Sequence, residues 1–290
     1  MKVIYSFVVD SAPCFLPQTR MFLASLMAQG VVPYQIHAHV TPEVGEEARA
    51  LLRKIGVCNH ELQPFLDGKY CNKLVQLDSL LNLDADVYIL CDTDLAFAGS
   101  IEKWIDLNYL RAKPVDFENP PLERLTALKD RLGLDVTPRL VATSCSAGTT
   151  WSTNCNGGLY IVPGKLAASL AQNWKYYATL LRECEDILEN WYHHVDQIAF
   201  AMAALAIGED LRELPLEANF PMHLADHFRH MDFNEPVVLH YHWLLDETGR
   251  VQLTGHPSVD NAISKVNAAL DAADPDKHPP SITMALGQGI

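Results

Sequence analysis

The residues of this chain best suited to metal chemistry stand at the end of an apolar run. Asp92 and Asp94 follow Val87–Cys91, in which every residue is apolar. Such a run predicts a strand buried on both faces, as in a parallel sheet. Residues two apart in an extended segment project to the same side, about 6.6 Å apart along the strand. Two carboxylates so placed can share a hard divalent cation, whose other positions stay open for water and phosphate oxygens.

The position of these aspartates favours a function. Charge at the tip of a buried strand is unfavourable unless it is solvated, paired or bound to a metal. In open α/β sheets, ligands bind at the carboxyl ends of the strands. A solvated loop after the strand is the alternative interpretation of the two aspartates.

The first ninety residues alternate between strand and helix patterns. Apolar spacing and turn residues predict strands at Val3–Val9, 34–40, 60–65 and Val87–Cys91, and helices at 17–29, 42–55 and 73–83. This βαβαβ series predicts a parallel sheet with right-handed crossovers.

The second half of the chain is less regular. We interpret the polar segment 113–139 as an insertion over the sheet edge that faces a second substrate, with a helix around 122–132. Further strands are predicted at 140–144, 159–162, 211–216 and 237–241, and helices at 163–190, 195–207 and 261–273, followed by a loosely held tail after 275.

Composition narrows the class of protein. Of the 290 residues, 49% are hydrophobic and 20% are charged, which suits a full core. The net charge of −14 argues against a nucleic-acid partner. It does not exclude a nucleotide, because a metal can supply positive charge locally. The chain has neither of the glycine-rich phosphate loops G-x-G-x-x-G and G-x-x-x-x-G-K-[ST], so a metal on Asp92 and Asp94 is the natural substitute.

The cysteines and the first residues indicate in which cellular compartment the protein is expected. Seven cysteines are scattered without metal-type pairs, and the first residues enter a strand without a signal-peptide pattern. No apolar stretch is long enough to cross a bilayer. We therefore expect free thiols, no transmembrane segment and a cytoplasmic location.

Several segments taken together resemble a known family. In this order and at these intervals they are similar to nucleotide-sugar-dependent glycosyltransferases of the GT-A fold, with family 8 and its relatives as the nearest pattern: residues 70–74, 87–94, 154–162, 196–197 and 237–242. The resemblance implies an α/β fold of Rossmann-like type, with a mixed, mostly parallel sheet flanked by helices in a single domain with a C-terminal helical extension.

The resemblance also implies boundaries. The glycosyltransferase domain is expected at 1–250, with a nucleotide-binding half at 1–100 and a sugar and acceptor half at 101–250. Residues 251–290 are expected to form the C-terminal helix and tail.

A metal site is implied for the matching residues. Asp92 and Asp94 match the pair that binds Mn²⁺ or Mg²⁺, and the first of them also touches the ribose or the sugar. His240 matches the histidine that completes the site. His242 lies on the same face of an extended segment, so it is the alternative ligand.

Donor contacts are implied for five further residues. Lys73 matches the basic residue that reaches the donor sugar or phosphates, and Asn156 matches the asparagine that lines the sugar. Asp196 and Gln197 match the pair close to the transferred sugar and are the catalytic candidates. Asp10 resembles the position that contacts the nucleotide base.

The implied reaction moves a sugar from a nucleotide-diphosphate sugar, with a UDP-linked donor favoured, to a glycan, a lipid-linked glycan or a small molecule. Retention of the anomeric configuration is favoured. One departure concerns the diphosphate: the family often follows its histidine with a glycine and a Lys-Pro-Trp segment whose lysine holds it. Here Trp243 and two leucines follow His242, so that phosphate contact is incomplete.

Three other functions remain open. A sugar nucleotidyltransferase would need a glycine-rich basic loop after the first strand, where this chain has Asp10 followed by Ser-Ala-Pro-Cys-Phe. A non-catalytic sugar-nucleotide-binding protein could keep the same fold. A metallohydrolase could use His223, His227 and His230, whose i, i+4 and i, i+3 spacing would place them on one face of a helix.

Overall fold

A computed structural model of the chain describes residues 1–209, 211–228 and 233–273. The strands among these residues are β1 (Val3–Val9), β2 (Ile36–Val40), β3 (Cys58–Glu61), β4 (Val87–Cys91), β5 (Leu95–Phe97), β6 (Arg111–Pro114), β7 (Leu140–Ala142), β8 (Thr149–Trp151), β9 (Cys155–Pro163), β10 (Arg212–Glu213), β11 (Phe220–Pro221) and β12 (Val238–His240). The α-helices are α1 (Phe15–Ala28), α2 (Glu46–Ile55), α3 (Gln76–Leu80), α4 (Leu122–Arg131), α5 (Gly164–Leu181), α6 (Glu185–Leu188), α7 (Val195–Ala206) and α8 (Pro257–Ala273).

The main sheet has seven strands in the order β10-β6-β9-β4-β1-β2-β3. Strand β9 runs antiparallel to both of its neighbours, and the other strand pairs are parallel. Every residue of β2 and β4 is buried, as expected for strands covered on both faces. The predicted mixed, mostly parallel α/β sheet in a single domain is confirmed.

Helices cover both faces of this sheet. Alternate residues of β1 point to opposite sides, so Ile4 packs with α3, α5 and α7, whereas Tyr5 and Phe7 pack with α1 and α2. Both layers are therefore built from the period-two pattern of the strands and the apolar stripes of the helices.

A smaller sheet in the order β11-β12-β5 lies beside the ends of the main strands. In it, His240 of β12 is in register with Leu95 of β5, and the Tyr241 amide donates to the Asp94 carbonyl oxygen at 3.1 Å. This pairing brings a late strand to the aspartates that follow β4.

The C-terminal helix α8 begins at Pro257 rather than at 261, and it packs on α1 through Met21, Val259 and Ile263. The predicted tail after 275 lies outside the described residues. The domain boundaries at 100 and 250 stay predictions. Within the described residues, no helix combines the length and the apolar character needed to cross a bilayer.

The helix predicted at 73–83 is wrong in form. Only Gln76–Leu80 is α-helical, between the 3-10 turns Tyr70–Val75 and Leu81–Leu83. The side chain of Asn72 accepts from the Phe65 amide at 3.0 Å and donates to the Gly68 carbonyl oxygen at 2.8 Å. Such local side-chain bonds compete with regular helix formation.

The helix predicted at 163–190 is also interrupted. Helix α5 ends at Leu181, and Glu189 adopts a positive φ of +46° after the short helix α6. The positive φ of Glu189 interrupts the right-handed helical backbone a second time, at the residue where the 3-10 turn Glu189–His194 begins.

The insertion predicted at 113–139 is wrong at its start. Arg111–Pro114 is strand β6 of the main sheet, and Lys113 is only 1% exposed. The lysine made the segment look like a surface segment, but its charge is paired with Asp116. Strand β3 starts at Cys58 rather than at 60, since it is a half-exposed edge strand with little apolar signal.

Candidate active site

The two aspartates after β4 point in the same direction because the residue between them is anchored. The hydroxyl of Thr93 donates to the carbonyl oxygen of Val8, and the Asp92 amide donates to the Gly158 carbonyl oxygen at 2.9 Å. These bonds tie the loop to β1 on one side and to β9 on the other. The carboxylates of Asp92 and Asp94 are thereby left to line a cavity.

Two cavities meet at this point. The larger, of about 640 Å³, lies beside the end of β1 and contains Asp10 in its wall. The smaller, of about 410 Å³, extends toward β9, β12 and the start of α7. Four residues line both cavities: Tyr70, Lys73, Asp92 and Asp94. Both volumes are in the range of small-molecule sites.

Asp94 lies among imidazoles. Ligand atoms of Asp94, His240 and His242 all lie within 4.8 Å of one another, and Oδ1 of Asp94 is 3.3 Å from Nε2 of His240. Burial opposes the charge on Asp94, but His240 outweighs it and lowers the pKa of that carboxyl. Likewise, burial opposes a charged His240, but Asp94 raises its pKa. A carboxylate with two imidazoles is a suitable donor set for a divalent metal.

Asp92 has a different partner. The Nζ atom of Lys73 lies 2.7 Å from Oδ1 of Asp92, 3.3 Å from Oδ2 of Asp196 and 3.3 Å from the Gly157 carbonyl oxygen. Burial disfavours the ammonium, but the two carboxylates more than offset it and raise the pKa of Lys73. Lys73 therefore stays charged and joins the end of β4 to the start of α7.

Asp196 and Gln197 open α7 at the wall of the smaller cavity. The side chain of Asp196 is 3% exposed, and this burial raises its pKa although Lys73 acts in the opposite direction. The Gln197 side chain lies 3.3 Å from Nδ1 of His194, and Nε2 of His194 lies 3.2 Å from the Asn119 side chain. Burial lowers the pKa of His194 to about 4, so this imidazole is neutral at pH 7.

Asn156 is the second residue of β9, and both the oxygen and the nitrogen of its side-chain amide are hydrogen-bonded. Its Oδ1 accepts from the Gly158 amide and from the Asn219 side chain, both at 3.0 Å, and its Nδ2 donates to Asp116 at 3.2 Å. A Cβ atom on Gly158 would lie 2.7 Å from the ring of His240. Glycine is therefore required where β9 passes the metal-ligand candidate.

Asp10 directly follows β1 and lies in the wall of the larger cavity. Its Oδ1 accepts from the Thr41 hydroxyl at 2.9 Å and from the Ser11 amide at 2.7 Å, and its Oδ2 accepts from Asn72 at 3.3 Å. These bonds fix the carboxylate in the wall of the larger cavity, which Lys73 also lines.

No protein-family model matches this chain, and no curated protein sequence does. Solved structures match its fold. Mouse xyloside xylosyltransferase 1 in its apo form aligns with a TM-score of 0.50 and 14% identity, over 84% of this chain and 98% of that one. The apo structure of the bifunctional glycosyltransferase WbbM aligns with a TM-score of 0.55 and 11% identity, over 95% of this chain and 50% of that one. This chain has the GT-A fold.

Within the GT-A fold, all nine predicted site residues lie around the two cavities. Eight line the smaller cavity, and Asp10 lines the larger one: Asp92, Asp94, Lys73, Asn156, Asp196, Gln197, His240, His242 and Asp10. The fold that the resemblance implied is confirmed, and the individual roles of these residues stay predictions.

Sequence reasoning missed Asp116 and misplaced His223. Asp116 lines the smaller cavity beside Asn156, and Lys113 lowers its pKa despite its burial. Its position two residues after β6 is the same strand-end signal that singled out Asp92, but the segment had been interpreted as an insertion. His223 also lines this cavity, where its Nδ1 is 3.1 Å from Nδ1 of His242.

The histidine cluster proposed for a metallohydrolase is not assembled in the described residues. Met222–Phe228 is a 3-10 helix, which does not place residues i and i+4 on one face. His223 contacts His242, whereas His227 packs against Phe117 with ring centroids 5.5 Å apart. His230 lies outside the described residues.

Proposed function

We propose that this protein is a metal-dependent glycosyltransferase that moves a sugar from a nucleotide-diphosphate sugar to a hydroxyl group of an acceptor. The observation that carries this proposal is the junction of the two cavities at Lys73, Asp92 and Asp94, next to the ligand group of Asp94, His240 and His242. A diphosphate and its metal fit at such a junction, between a nucleoside on one side and a sugar on the other.

The metal is proposed to be held by Asp94 and His240, with Asp92 and His242 as the remaining ligand candidates. The donor set of a partly buried carboxylate and a buried imidazole suits a divalent ion. When bound, such an ion stabilises the negative charge that builds on a leaving diphosphate.

The donor is proposed to span both cavities. The nucleoside, uridine in our proposal, occupies the larger cavity near Asp10, with the exposed ring of Tyr70 at the junction. The sugar then enters the smaller cavity beside Asn156 and Asp196. The resemblance to GT-A enzymes and the continuity of the two cavities support this orientation.

Asp196, held in place by Lys73, is proposed to stabilise the reacting sugar. The anomeric carbon becomes positively charged as its bond to the diphosphate breaks, so a fixed carboxylate or amide oxygen nearby lowers the energy of the transition state. Lys73 holds Asp196 in place, and Gln197 follows it on the same cavity wall. The acceptor, a glycan, a lipid-linked glycan or a small molecule, would approach past Phe117 and Trp191. Retention of configuration is the favoured outcome.

Lys69 is proposed to supply the diphosphate contact that the sequence after His242 lacks. Among the described residues, Lys69 and Lys73 are the lysines and arginines that line the two cavities. Lys73 is already paired with Asp92 and Asp196, whereas Lys69 is exposed in the wall of the larger cavity. An exposed lysine can reach a phosphate as a flexible point charge.

The proposed activity is tested by incubating the protein with Mn²⁺ and a panel of nucleotide-diphosphate sugars, and by measuring the nucleoside diphosphate that is released. We expect slow metal-dependent hydrolysis of one donor. Asp196→Asn should lower kcat by at least about tenfold while donor affinity changes less than about threefold. Asp186→Asn, in an exposed pair with Arg131, is the matched control and should not change kcat.

Two outcomes would favour the other functions. Binding of a donor without release from any member of the panel, with or without candidate acceptors, would indicate a non-catalytic sugar-nucleotide-binding protein. Release of pyrophosphate from a nucleoside triphosphate and a sugar phosphate would indicate a nucleotidyltransferase.

A further inference from the structure

The group around Asp94 contains a second imidazole that stands close to the first. The rings of His240 and His242 stack with centroids 3.9 Å apart and an interplanar angle of 10°. Both rings offer a ligand atom within 4.8 Å of the Asp94 carboxylate. Asp94, His240 and His242 therefore form one close group of ligand atoms, although the sequence presents His242 as an alternative to His240.

The backbone at His242 turns this ring toward the site. His242 adopts a φ of +55°, in the left-handed region that non-glycine residues seldom occupy. Histidine tolerates this region better than most residues, yet the conformation is still unfavourable and must be held by the surrounding contacts. In an extended conformation, the ring of a residue two positions after His240 would stand beside it only at the strand spacing of about 6.6 Å.

Hydrogen bonds determine which nitrogen of His242 is available to a ligand. Nδ1 of His242 lies 3.1 Å from the carbonyl oxygen of His240, which can only accept. The hydrogen of a neutral His242 therefore sits on Nδ1, and the lone pair is on Nε2. Nδ1 of His223 lies 3.1 Å from Nδ1 of His242 and is the second acceptor of a bifurcated hydrogen bond from it. Such outer contacts orient the ring of a metal-bound histidine.

Two imidazoles change the choice of metal. Mg²⁺ prefers an environment of oxygen ligands, whereas imidazole nitrogen favours first-row transition ions. We propose that His242 is a metal ligand together with Asp94 and His240, that His223 positions it, and that the site therefore prefers Co²⁺ or Zn²⁺ to Mn²⁺ and largely excludes Mg²⁺. This inference rests on the metal site of the proposed function and narrows the ion that the site takes.

The experiment titrates the chelator-treated protein with Co²⁺ and follows the visible absorption bands of the bound ion, with Zn²⁺, Mn²⁺ and Mg²⁺ as competitors. We expect Zn²⁺ to displace Co²⁺, Mn²⁺ to compete more weakly, and Mg²⁺ to bind at least about 100-fold more weakly than Co²⁺. The readout is the metal itself and does not depend on donor, acceptor or activity.

Three variants assign the role of each histidine. His242→Asn should weaken Co²⁺ binding by about 10–100-fold and change the absorption bands, and asparagine tolerates the left-handed backbone at this position. His223→Ala should weaken binding by about tenfold with the bands unchanged, because it removes an orienting contact and not a ligand. His227→Asn, in the same 3-10 helix but directed at Phe117, is the control and should leave both unchanged.

The inference is overturned if Mg²⁺ competes as well as Mn²⁺, or if His242→Asn keeps the Co²⁺ affinity and bands of the unaltered protein. Failure of the proposed function has a different signature. In that case Co²⁺ binds and responds to His242→Asn as expected, but no nucleotide sugar binds or reacts.

Discussion

The Nζ atom of Lys73 lies 2.7 Å from Oδ1 of Asp92, so the first aspartate after β4 is neutralised by a cation of the chain itself. The second, Asp94, faces His240 and His242 instead. Two residues that are identical in type and two apart in sequence therefore have different electrostatic partners. Asp92 couples the strand end to α7 through Lys73 and Asp196, whereas Asp94 belongs to the candidate metal-ligand group.

Replacing Lys73 should destabilise the fold. Lys73→Met leaves Asp196 buried without its cation, and an unpaired buried charge costs about 3–5 kcal/mol in the free energy of unfolding. Urea denaturation measures this loss. Lys175→Met is the matched control, because its pair with Asp78 is largely exposed and should contribute less than about 1 kcal/mol. Equal stability of the two variants would contradict the assigned role of Lys73.

A methyl group at Gly158 should disturb His240. In Gly158→Ala the new Cβ would lie 2.7 Å from the imidazole ring, so the ring must move away from Asp94. We expect metal affinity, measured by calorimetric titration of Mn²⁺, to fall by at least about tenfold. Gly99→Ala is the control, because its Cβ would meet Val237 at an ordinary 3.4 Å. Unchanged metal affinity in Gly158→Ala would show that His240 is not a metal ligand.

Removing the exposed lysine of the larger cavity should weaken donor binding. Lys69→Ala is expected to raise the Kd for UDP by about tenfold in the presence of metal, because a charge-assisted contact to the diphosphate is lost. The effect should shrink at high salt. Lys54→Ala, an exposed lysine near the end of α2 that lines neither cavity, should leave the Kd unchanged. If the unaltered protein, Lys69→Ala and Lys54→Ala all bind UDP with the same Kd, Lys69 does not contact the diphosphate.

Acid should destabilise the protein through His39. This residue is 2% exposed in β2, and its ring nitrogens lie 3.2 Å from the Ser6 hydroxyl and 2.7 Å from the Ser79 hydroxyl. Burial, with the charges of His60 and His37, lowers the pKa of His39 from 6.5 to about 3. Below pH 6.5, His39 therefore binds a proton in the unfolded chain but stays neutral in the folded protein until the pH approaches 3.

The contribution of His39 to stability is complete above pH 6.5 and is lost as the pH falls toward 3. At pH 5 the loss is on the order of 2 kcal/mol. The free energy of unfolding in urea, determined for the unaltered protein and for His39→Gln at pH 7.5 and at pH 5, measures this loss. We expect the variant to lose about 2 kcal/mol less over this interval. Parallel changes in the two proteins would contradict this account.

The sequence was sufficient for those features that depend on strand ends. Val87–Cys91 identified the central strand, and the aspartates after it lie at the junction of the two cavities. The apolar run of β1, whose alternate residues face the two layers, and the apolar residues of α5 and α7 likewise produced the predicted sheet and layers. These elements follow from local patterns, which is why a single sequence predicts them.

Features that depend on distant partners were not predictable in this way. Lys113 looked like a surface residue because its partner Asp116 neutralises it only in the folded chain. The helix expected at 73–83 starts inside the 3-10 turn Tyr70–Val75, where Asn72 bonds to Phe65 and Gly68 earlier in the chain. The left-handed backbone at His242 and its contact with His223 also have no signal in the local sequence.

The central claim is that a nucleotide and a metal bind together at Asp94. Calorimetric titration of UDP into the protein, with and without Mn²⁺ and repeated on Asp94→Ala, tests it most directly. We predict binding that requires the metal and is lost in the variant. Binding of the same strength without metal, or in Asp94→Ala, would contradict the proposed site.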